Sequence, residues 1–322
     1  MNNNRPRFIL ILLITLLFVV TGCASNGPVS IVKTSAPQTI NQTGKVLVIN
    51  SNQSIERYSV AEQVFLNSMQ NDELVVINLE TEQQPIEQLQ DILNQQGFDV
   101  IYCIGAKALG SIDYIGPNLP VVYTAVLNWR KFENHQNYFG ISSELSPEVQ
   151  LTWMKYFFKG INTIGVFYSD ENTSLIADAE NVSKNLLVNL KPVLLSEGQD
   201  LLKTAKPVMS ELDALWLISD SHTLSSTQDV ADLFALADRL NVPVFTYNPL
   251  FIDYGALMSF AADLPTTARQ AALLTTKLLE NKRTQQAIQF PAGSRIILNR
   301  ERLKRYQMQL NPGVLDSIDE LR

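Results

Sequence analysis

The stretch that decides the fold is residues 163–195, TIGVFYSDENTSLIADAENVSKNLLVNLKPVLL. Thr163–Tyr168 is a short apolar run, which predicts a strand. A polar turn follows it, Ser174–Asn189 then has apolar residues at helical spacing, and Pro192–Leu195 predicts the next strand. A strand, a helix and a second strand in this order form a parallel unit, because the helix returns the chain to the end of the sheet from which it started.

The same alternation of apolar runs and amphipathic stretches continues on both sides of this unit. Upstream, the predicted strands are Val46–Asn50, Leu74–Leu79, Val100–Ile104 and Val121–Ala125, and the predicted helices are Ser59–Gln70, Pro85–Gln96 and Pro147–Lys159. Downstream, the predicted helices are Leu201–Leu212, Thr227–Leu240 and Thr266–Asn281, and the predicted strands are Ala214–Ile218, Val244–Tyr247, Leu257–Ala261 and Ser294–Leu298. Continuous Val and Ile runs are typical of parallel sheets covered by helices on both faces. We therefore predict an α/β fold with two doubly wound parallel-sheet lobes and a hinge.

The chain begins with a segment typical of a lipoprotein export signal. Arg5 and Arg7 precede 13 apolar or near-apolar residues, Phe8–Val20, and Gly22-Cys23 follows soon after. The apolar segment is shorter than the roughly 20 residues that a membrane-spanning helix needs. The pattern resembles the bacterial lipobox, which implies that Cys23 is lipidated and becomes the new N-terminus. An ordinary secretory signal with a chance cysteine is the alternative. Several acyl chains on one residue would hold the protein on a membrane and not within it.

Composition bounds the partners and the number of domains. Loss of residues 1–22 leaves 300 residues, enough for two domains, and removes two arginines, so that the net charge changes from −7 to −9. This acidic balance argues against nucleic acid or an anionic membrane surface as the partner. The predicted division is residues 1–22 for the signal, 23–43 for a flexible tether, 44–142 plus about 255–284 for the first lobe, and 143–254 plus about 285–322 for the second.

Short polar side chains follow five of the predicted strands. The loops are Asn50–Ser54, Leu127–Arg130, Tyr168–Ser174, Ser219–Thr223 and Tyr247–Pro249. Ligands of open parallel sheets bind beyond the carboxyl ends of the strands, and two facing lobes would enclose a cleft there. Ser, Asn and Asp are also ordinary cap and turn residues, so each loop alone fits a structural role. Caps do not require Trp129 and Tyr247 beside them, and together the loops predict a site for a small polar ligand with an apolar part. The candidate residues from three of these loops are Asn52, Asn128, Tyr247 and Asn248.

Several blocks resemble one known family, the ABC-transporter substrate-binding proteins of the tryptophan/tyrosine-binding type. The blocks are Gly140–Ser142, Pro147–Leu151, Ile164–Ser174, Ala214–Asp220, Val242–Phe245 and Tyr254–Leu257, within roughly residues 44–310. The resemblance implies a periplasmic binding protein type I-like fold and a lipid-anchored protein on the periplasmic side of the envelope. It also implies that the protein captures an amino acid or related carboxylate and delivers it to an ABC permease.

The resemblance also implies roles for one strand-end loop and one acid. Ser169, Asn172, Thr173 and Ser174 would bind a ligand carboxylate at a helix N-terminus, where free N–H groups and the helix dipole favour an anion. Asp220 would hold the α-amino group through a charge-assisted hydrogen bond, or alternatively cap the next helix.

The chain departs from the family pattern at two places in the first lobe. Gly105-Ala106-Lys107 replaces a Gly-Thr-Pro-type turn, and Leu127-Asn128-Trp129 replaces Asp-Pro. Both departures lie in the ligand-facing half of the first lobe. The resemblance therefore supports the class of protein better than it supports the identity of the ligand. Trp129, Tyr58 and Tyr247 are each able to stack on an aromatic ligand or to serve as rim or core residues.

The remaining residues argue against an enzyme and leave the membrane partner open. The chain has two histidines, His135 and His222, no metal-ligand spacing and no phosphate-binding glycine loop, and no cofactor is predicted. A structural envelope lipoprotein is one alternative, which the polar strand ends weigh against. A ligand-sensing lipoprotein that signals to a membrane receptor is another. Ala24-Ser25 lacks the Asp that commonly retains Gram-negative lipoproteins at the inner membrane, which slightly favours sensing at the outer membrane.

Overall fold

The computed structural model describes residues 44–80, 86–127, 129–282 and 287–322. The predicted signal and tether, with Cys23, lie outside the described residues, as does the candidate site residue Asn128. Among the helices in the described ranges, none combines the length and the apolar character needed to cross a membrane.

The described residues alternate between strands and helices. The strands are β1 Lys45–Asn50, β2 Glu73–Asn78, β3 Val100–Ile104, β4 Val121–Thr124, β5 Tyr138–Ile141, β6 Thr163–Tyr168, β7 Asn189–Leu194, β8 Ala214–Leu217, β9 Val244–Thr246, β10 Met258–Ala262, β11 Ile288–Gln289, β12 Ser294–Leu298 and β13 Glu320–Leu321. The helices are α1 Glu56–Ser68, α2 Ile86–Gln96, α3 Ala106–Ile115, α4 Pro147–Phe157, α5 Thr173–Asn185, α6 Leu201–Met209, α7 Thr227–Leu240, α8 Leu264–Leu279 and α9 Arg300–Arg305. Short 3-10 helices span Trp129–Phe132, Asp170–Asn172, Pro249–Ile252 and Pro312–Ser317.

The strands form two sheets. The first has the order β11-β5-β4-β3-β1-β2 and is parallel throughout. The second has the order β13-β12-β10-β9-β8-β6-β7, in which β12 is antiparallel to β10 and β13 is parallel to β12. The predicted α/β fold with two doubly wound, mainly parallel lobes is confirmed.

The central strands of each sheet are buried on both faces, which explains why they are apolar without alternation. In β1, Val46 and Val48 face one side and Leu47 and Ile49 the other, and all four are fully buried. Helices α1 and α8 cover the first side, and α2 and α3 cover the second. The second sheet lies in the same way between α4 and α5 on one face and α6 and α7 on the other. Each lobe therefore has its own three-layer core.

The chain passes between the two sheets three times: after β5, after β10, and between β11 and β12. The three passages are joined by the hydrogen bonds from Ser142 N to Gln289 O and from Asp263 N to Gly293 O, and by an antiparallel bridge between Glu144 and Ala261. We call this group of residues the crossover junction. Because it links the lobes through short paired segments, it is the place about which they would rotate.

The division of the chain between the lobes differs from the predicted one at two strands. The sequence assigns residues 255–284 to the first lobe, but β10 joins the second sheet. It assigns residues from about 285 onward to the second lobe, but β11 completes the first sheet. The chain changes lobe at Asp263, whose carboxylate caps α8 by accepting from Thr266 N at 2.9 Å.

Candidate functional site

Loops from both lobes line a small cavity at the carboxyl ends of the strands. Its volume is about 220 Å³, and its walls are Arg130, Lys131 and Glu133 from the first lobe and Glu171 and Asn172 from the second. The first three residues follow β4, and the other two follow β6. The cavity therefore lies where parallel sheets present ligand sites.

A larger cavity, of about 640 Å³, lies at the opposite, amino-terminal ends of the second-lobe strands. Its wall includes Asp213, whose carboxylate accepts from the backbone N–H groups of Asn162 and Thr163 at 2.9 and 2.8 Å. The Asp213 carboxylate therefore has a structural role at the start of β6. No described residue of the first lobe lines this larger cavity. The smaller cavity is therefore the better candidate site.

Asp220 follows β8 and is 2 % exposed. Its Oδ2 accepts from the backbone N–H and the hydroxyl of Ser169 at 2.7 and 2.9 Å and from the Asn172 amide at 2.8 Å. Its Oδ1 accepts from the backbone N–H groups of His222 and Thr223 at 3.0 and 2.9 Å. Burial by itself would raise the pKa of this carboxyl, but these hydrogen bonds, led by that from Thr223, hold the pKa below its ordinary value. A carboxylate offers about four lone-pair sites, so Asp220 is fully used in tying two second-lobe loops together.

Two acids, Asp170 and Glu171, lie among the residues predicted to bind a carboxylate at the start of α5. Thr173 and Ser174 are exposed, and the Thr173 hydroxyl donates to Asp170 O at 2.9 Å. Asp170 and Glu171 form the preceding turn, and Glu171 Oε1 accepts from Ser221 N at 2.6 Å. The structure brings the four predicted residues together, but carboxylates stand where the helix dipole favours an anion. The two buried members of the group donate to Asp220 instead.

Asn52 and Asn248 hold their own loops. Asn52 Oδ1 accepts from Ser54 N and Ser54 Oγ at 2.8 and 2.6 Å. Asn248 Oδ1 accepts from Leu250 N at 3.1 Å and begins a 3-10 helix. Both contacts are the turn and cap bonds expected of Asn after a strand.

Tyr247 lies among charged groups from both lobes. It is 7 % exposed, and burial is the main cause that raises the pKa of its hydroxyl to about 12. The negative charges of Glu144 and Asp220 raise this pKa further, whereas a hydrogen bond with Ser219 and the positive charge of Arg57 lower it. Arg57 lies in α1 of the first lobe, so Tyr247 is within the electrostatic reach of both lobes.

Tyr58 is packed within the first lobe. The Arg57 guanidinium lies 4.8 Å from its ring centroid, and Arg57 Nη2 donates to its hydroxyl at 3.1 Å. On Gly105, with φ of 87°, a Cβ would lie 2.8 Å from the Tyr58 ring and 2.6 Å from Ser51 Oγ. Only glycine fits this turn, and it lets Ser51 Oγ accept from Ala108 N at 2.9 Å at the start of α3. At the turn that departs from the family pattern, the Ser51 and Tyr58 side chains thus fill the space beside Gly105.

Arg130, which is partly exposed, and the buried Glu144 form an ion pair beside the cavity. The Arg130 guanidinium lies 4.3 Å from the Trp129 ring centroid, and its Nη1 donates to Glu144 Oε1 at 3.2 Å. Glu144 is 1 % exposed, and its Oε2 has no hydrogen-bond partner among the described residues. Burial raises the pKa of Glu144, and the charge of Asp220 adds to the rise; the Arg130 guanidinium and the Ser219 backbone N–H oppose it. Arg130 also covers part of the indole that was a candidate for stacking.

Sequence reasoning missed this ion pair as a functional feature. Arg130 stands in one of the quoted loops but is not among the candidate residues. Glu144 stands in the run Ser142-Ser-Glu-Leu-Ser146, between two blocks of the resemblance. An isolated acid in a segment of small polar residues between two strand–helix units is the signal that could have found it.

The described residues hold no group of three or more His, Cys, Asp or Glu side chains suited to a metal ion. Cys103 is a free buried thiol, and burial raises its pKa. The structure thus offers no reactive cysteine in the part of the chain that it describes.

Two α/β lobes joined by three passages, with a cavity lined by strand-end loops of both, define a bilobal solute-binding fold. Residues 65–321 match the family model of the ABC transporter substrate binding protein, and the chain belongs to this family. The sequence resemblance is confirmed. Proteins of this family are solute-binding components that work outside the cytoplasm and deliver small ligands to an ABC permease. No curated protein matches the chain in a sequence comparison.

Solved structures with the same fold share little sequence with the chain. A ligand-free, open substrate-binding protein with adhesive properties from Clostridium difficile has a TM-score of 0.66 at 16% identity, over 87% of this chain and 99% of that one. An ABC domain from Streptococcus pneumonia in complex with L-Trp has a TM-score of 0.59 at 14% identity, over 87% and 100%. A conserved domain protein from Vibrio cholerae O1 biovar eltor has a TM-score of 0.58 at 17% identity, over 87% and 100%.

Proposed function

We propose that this protein is a lipid-anchored, extracytoplasmic solute-binding protein that captures an amino acid or a related carboxylate between its lobes. It delivers this ligand to an ABC permease. Ligand binding draws the lobes together about the crossover junction, and the closed form docks on the permease. Closure carries information only because the ligand binds the closed form more tightly than the open one.

The observation that carries this proposal is the ion pair of Arg130 with the buried Glu144, beside a cavity to which both lobes contribute. A cation and an acid next to each other beside a cavity complement a molecule that carries both charges, such as a zwitterion. The cavity of about 220 Å³ is smaller than the roughly 300–1,000 Å³ of sites for drug-sized molecules, which favours a ligand of amino-acid size. The L-Trp bound to the Streptococcus pneumonia protein supports amino acids as the first class to test.

In the proposed site, the predicted residues have different roles from those that the sequence suggested. Asn172 lines the cavity from the second lobe, and Tyr247 is influenced by the charges of Glu144 and Asp220. Asp220, with Ser169, holds the second-lobe loops in place. Thr173 and Ser174 are exposed and follow Asn172 directly at the start of α5, and Asn52 and Asn248 hold the turns of their own loops.

A thermal-shift screen of the mature chain against the amino acids and small carboxylates tests the ligand class. A ligand that binds only the native state must stabilise it, by about 2.7 kcal/mol at 100 times its Kd. Stabilisation by at least one zwitterion is the expected result. If neither amino acids nor small carboxylates shift the melting temperature, the proposed ligand class is wrong.

The lipid anchor is tested separately at Cys23. The native chain is expected to partition into detergent and to incorporate labelled palmitate, and a Cys23→Ala chain is expected to do neither. A native chain that stays in the aqueous phase would contradict anchoring. Binding of the ligand-loaded protein to a membrane receptor and not to a permease would favour the sensing alternative.

A further inference from the structure

Glu144, at the crossover junction, is the acid that contacts the cavity-lining Arg130. Its side chain is 2 % exposed, and its Oε1 is held by Arg130 at 3.2 Å. Its Oε2 has no hydrogen-bond partner among the described residues. A buried acceptor without a donor costs free energy comparable to a lost hydrogen bond, and more when the group is charged. This oxygen is therefore an open acceptor, and it is the one carboxylate oxygen among the five buried side-chain atoms without a partner in the described residues.

Asp220, the acid that the sequence favours for this role, has no open acceptor. Its two oxygens already receive hydrogen bonds from five protein donors. For Asp220 to bind an ammonium group, it would have to release a donor that is itself buried. Exchanging one buried hydrogen bond for another gains little free energy. An ammonium group therefore binds more favourably at Glu144, whose Oε2 accepts no hydrogen bond from the described residues.

Resting on the proposed function, we infer that Glu144 binds the cationic nitrogen of the ligand through Oε2. The ligand class is a small primary ammonium compound that also carries a carboxylate. Arg130 has donors beyond the one on Glu144, since a guanidinium has five N–H groups in a planar fork. The ligand carboxylate is placed on Arg130, and the two charges of the zwitterion meet the two charges of the pair.

The position of Glu144 gives the contact a second consequence. Glu144 follows β5 of the first sheet and bridges to Ala261, at the end of a second-sheet strand. It also lies near Ser219 and Asp220 of the second lobe, since both affect its pKa. A ligand nitrogen on Glu144 is thus bound by the segment that joins the lobes, and its binding energy acts on their relative position.

The test compares an amino acid that stabilises the native protein with its deaminated analogue, in the native chain and in Glu144→Gln. Glutamine has the same shape without the charge. The native chain is expected to prefer the amino acid, and Glu144→Gln is expected to reduce this preference about 10- to 100-fold, the range of a charged hydrogen bond. Binding of the deaminated analogue should change little. Glu148→Gln, which removes an exposed acid in the first turn of α4 outside the cavity wall, is the matched control and should keep the preference.

Each outcome separates the two proposals. If the native chain binds an amino acid and Glu144→Gln keeps the full preference for the ammonium group, Glu144 is not the contact and the proposed function stands. If the native chain binds small carboxylates but no amino acid, the inference about Glu144 fails and the proposed function stands. If it binds neither, the proposed function itself fails. A second measurement needs no variant: the preference of the native chain should fall as the pH falls through the raised pKa of Glu144. Arg130, Asp220 and Tyr247 face this carboxyl, and only Asp220 among them titrates on the acid side, with a lowered pKa. A preference that persists until the lowered pKa of Asp220 is reached would assign the contact to Asp220.

Discussion

Replacing Asp220 by alanine is expected to destabilise the second lobe by about 4 kcal/mol. Four of its five donors are buried: the N–H and hydroxyl of Ser169, the Asn172 amide and the Thr223 N–H. Each buried donor left without an acceptor costs about 1–3 kcal/mol, and the lower end applies here because water can enter the space of the lost carboxylate. The sum is large against the usual 0.5–3 kcal/mol effect of a single substitution.

Urea unfolding at pH 7, followed by tryptophan fluorescence, measures this change. Trp216 lies in β8, is fully buried and donates to Gln150 Oε1 at 3.0 Å, so its emission reports on the second lobe. Asp170→Ala is the control, because this acid is an exposed neighbour whose loss should change the free energy of unfolding by no more than about 0.5 kcal/mol.

A destabilisation below about 1 kcal/mol would refute the structural role of Asp220. The pH dependence gives a second check. Because its folded-state pKa is lowered, Asp220 contributes stability that is present above the ordinary Asp value. This contribution is lost as the pH falls through the lowered pKa, and the loss should be missing in Asp220→Ala. If Asp220→Ala lost the same stability at low pH as the native chain, other groups would be the cause of that loss.

Three further predictions concern the first lobe, the second-lobe core and the junction. Gly105→Ala should cost at least about 1–3 kcal/mol, because it forces a non-glycine residue to positive φ against Tyr58; a neutral effect in urea unfolding would contradict the packing described. Gln150→Leu should cost about 1–3 kcal/mol by leaving the Trp216 indole N–H unpaired, and an unchanged midpoint would show another acceptor for it. Glu144 has a raised folded pKa, so native stability should rise as the pH falls from that value to the ordinary Glu pKa, and Glu144→Gln should remove the rise; an equal rise in both proteins would place its origin elsewhere.

The fold was predictable because burial and periodicity agree along the chain. The apolar runs that became β1, β3 and β6 are buried on both faces, and the intervening helices have one apolar side, which is the pattern of a doubly wound sheet. β5 and α3 are not among the predicted elements. β5 is the four-residue run Tyr138–Ile141, too short to give a periodicity signal. α3 begins directly after the glycine turn at Gly105, which hides its start.

A cavity at the strand ends was predictable, but the hydrogen-bond partners of each residue beside it were not. Strand-end loops lie at the same edge of a parallel sheet, so Tyr247, Asn172 and Arg130 could be expected near one another. Sequence does not show which polar atoms are already bonded. Asp220 and Glu144 differ in this respect: one is saturated by local donors, whereas the other is buried with an oxygen free among the described residues. That difference depends on side-chain placement across two lobes.

The most direct test of the central claim is a calorimetric titration of the most stabilising amino acid into the native chain and into Arg130→Met. The claim is that a small zwitterion binds in the cavity that both lobes line. The native chain should bind one molecule per chain, and Arg130→Met should lose about 10- to 100-fold in affinity through loss of a charged hydrogen bond to the ligand carboxylate. Equal affinity in the two proteins would place the ligand outside this cavity and contradict the account.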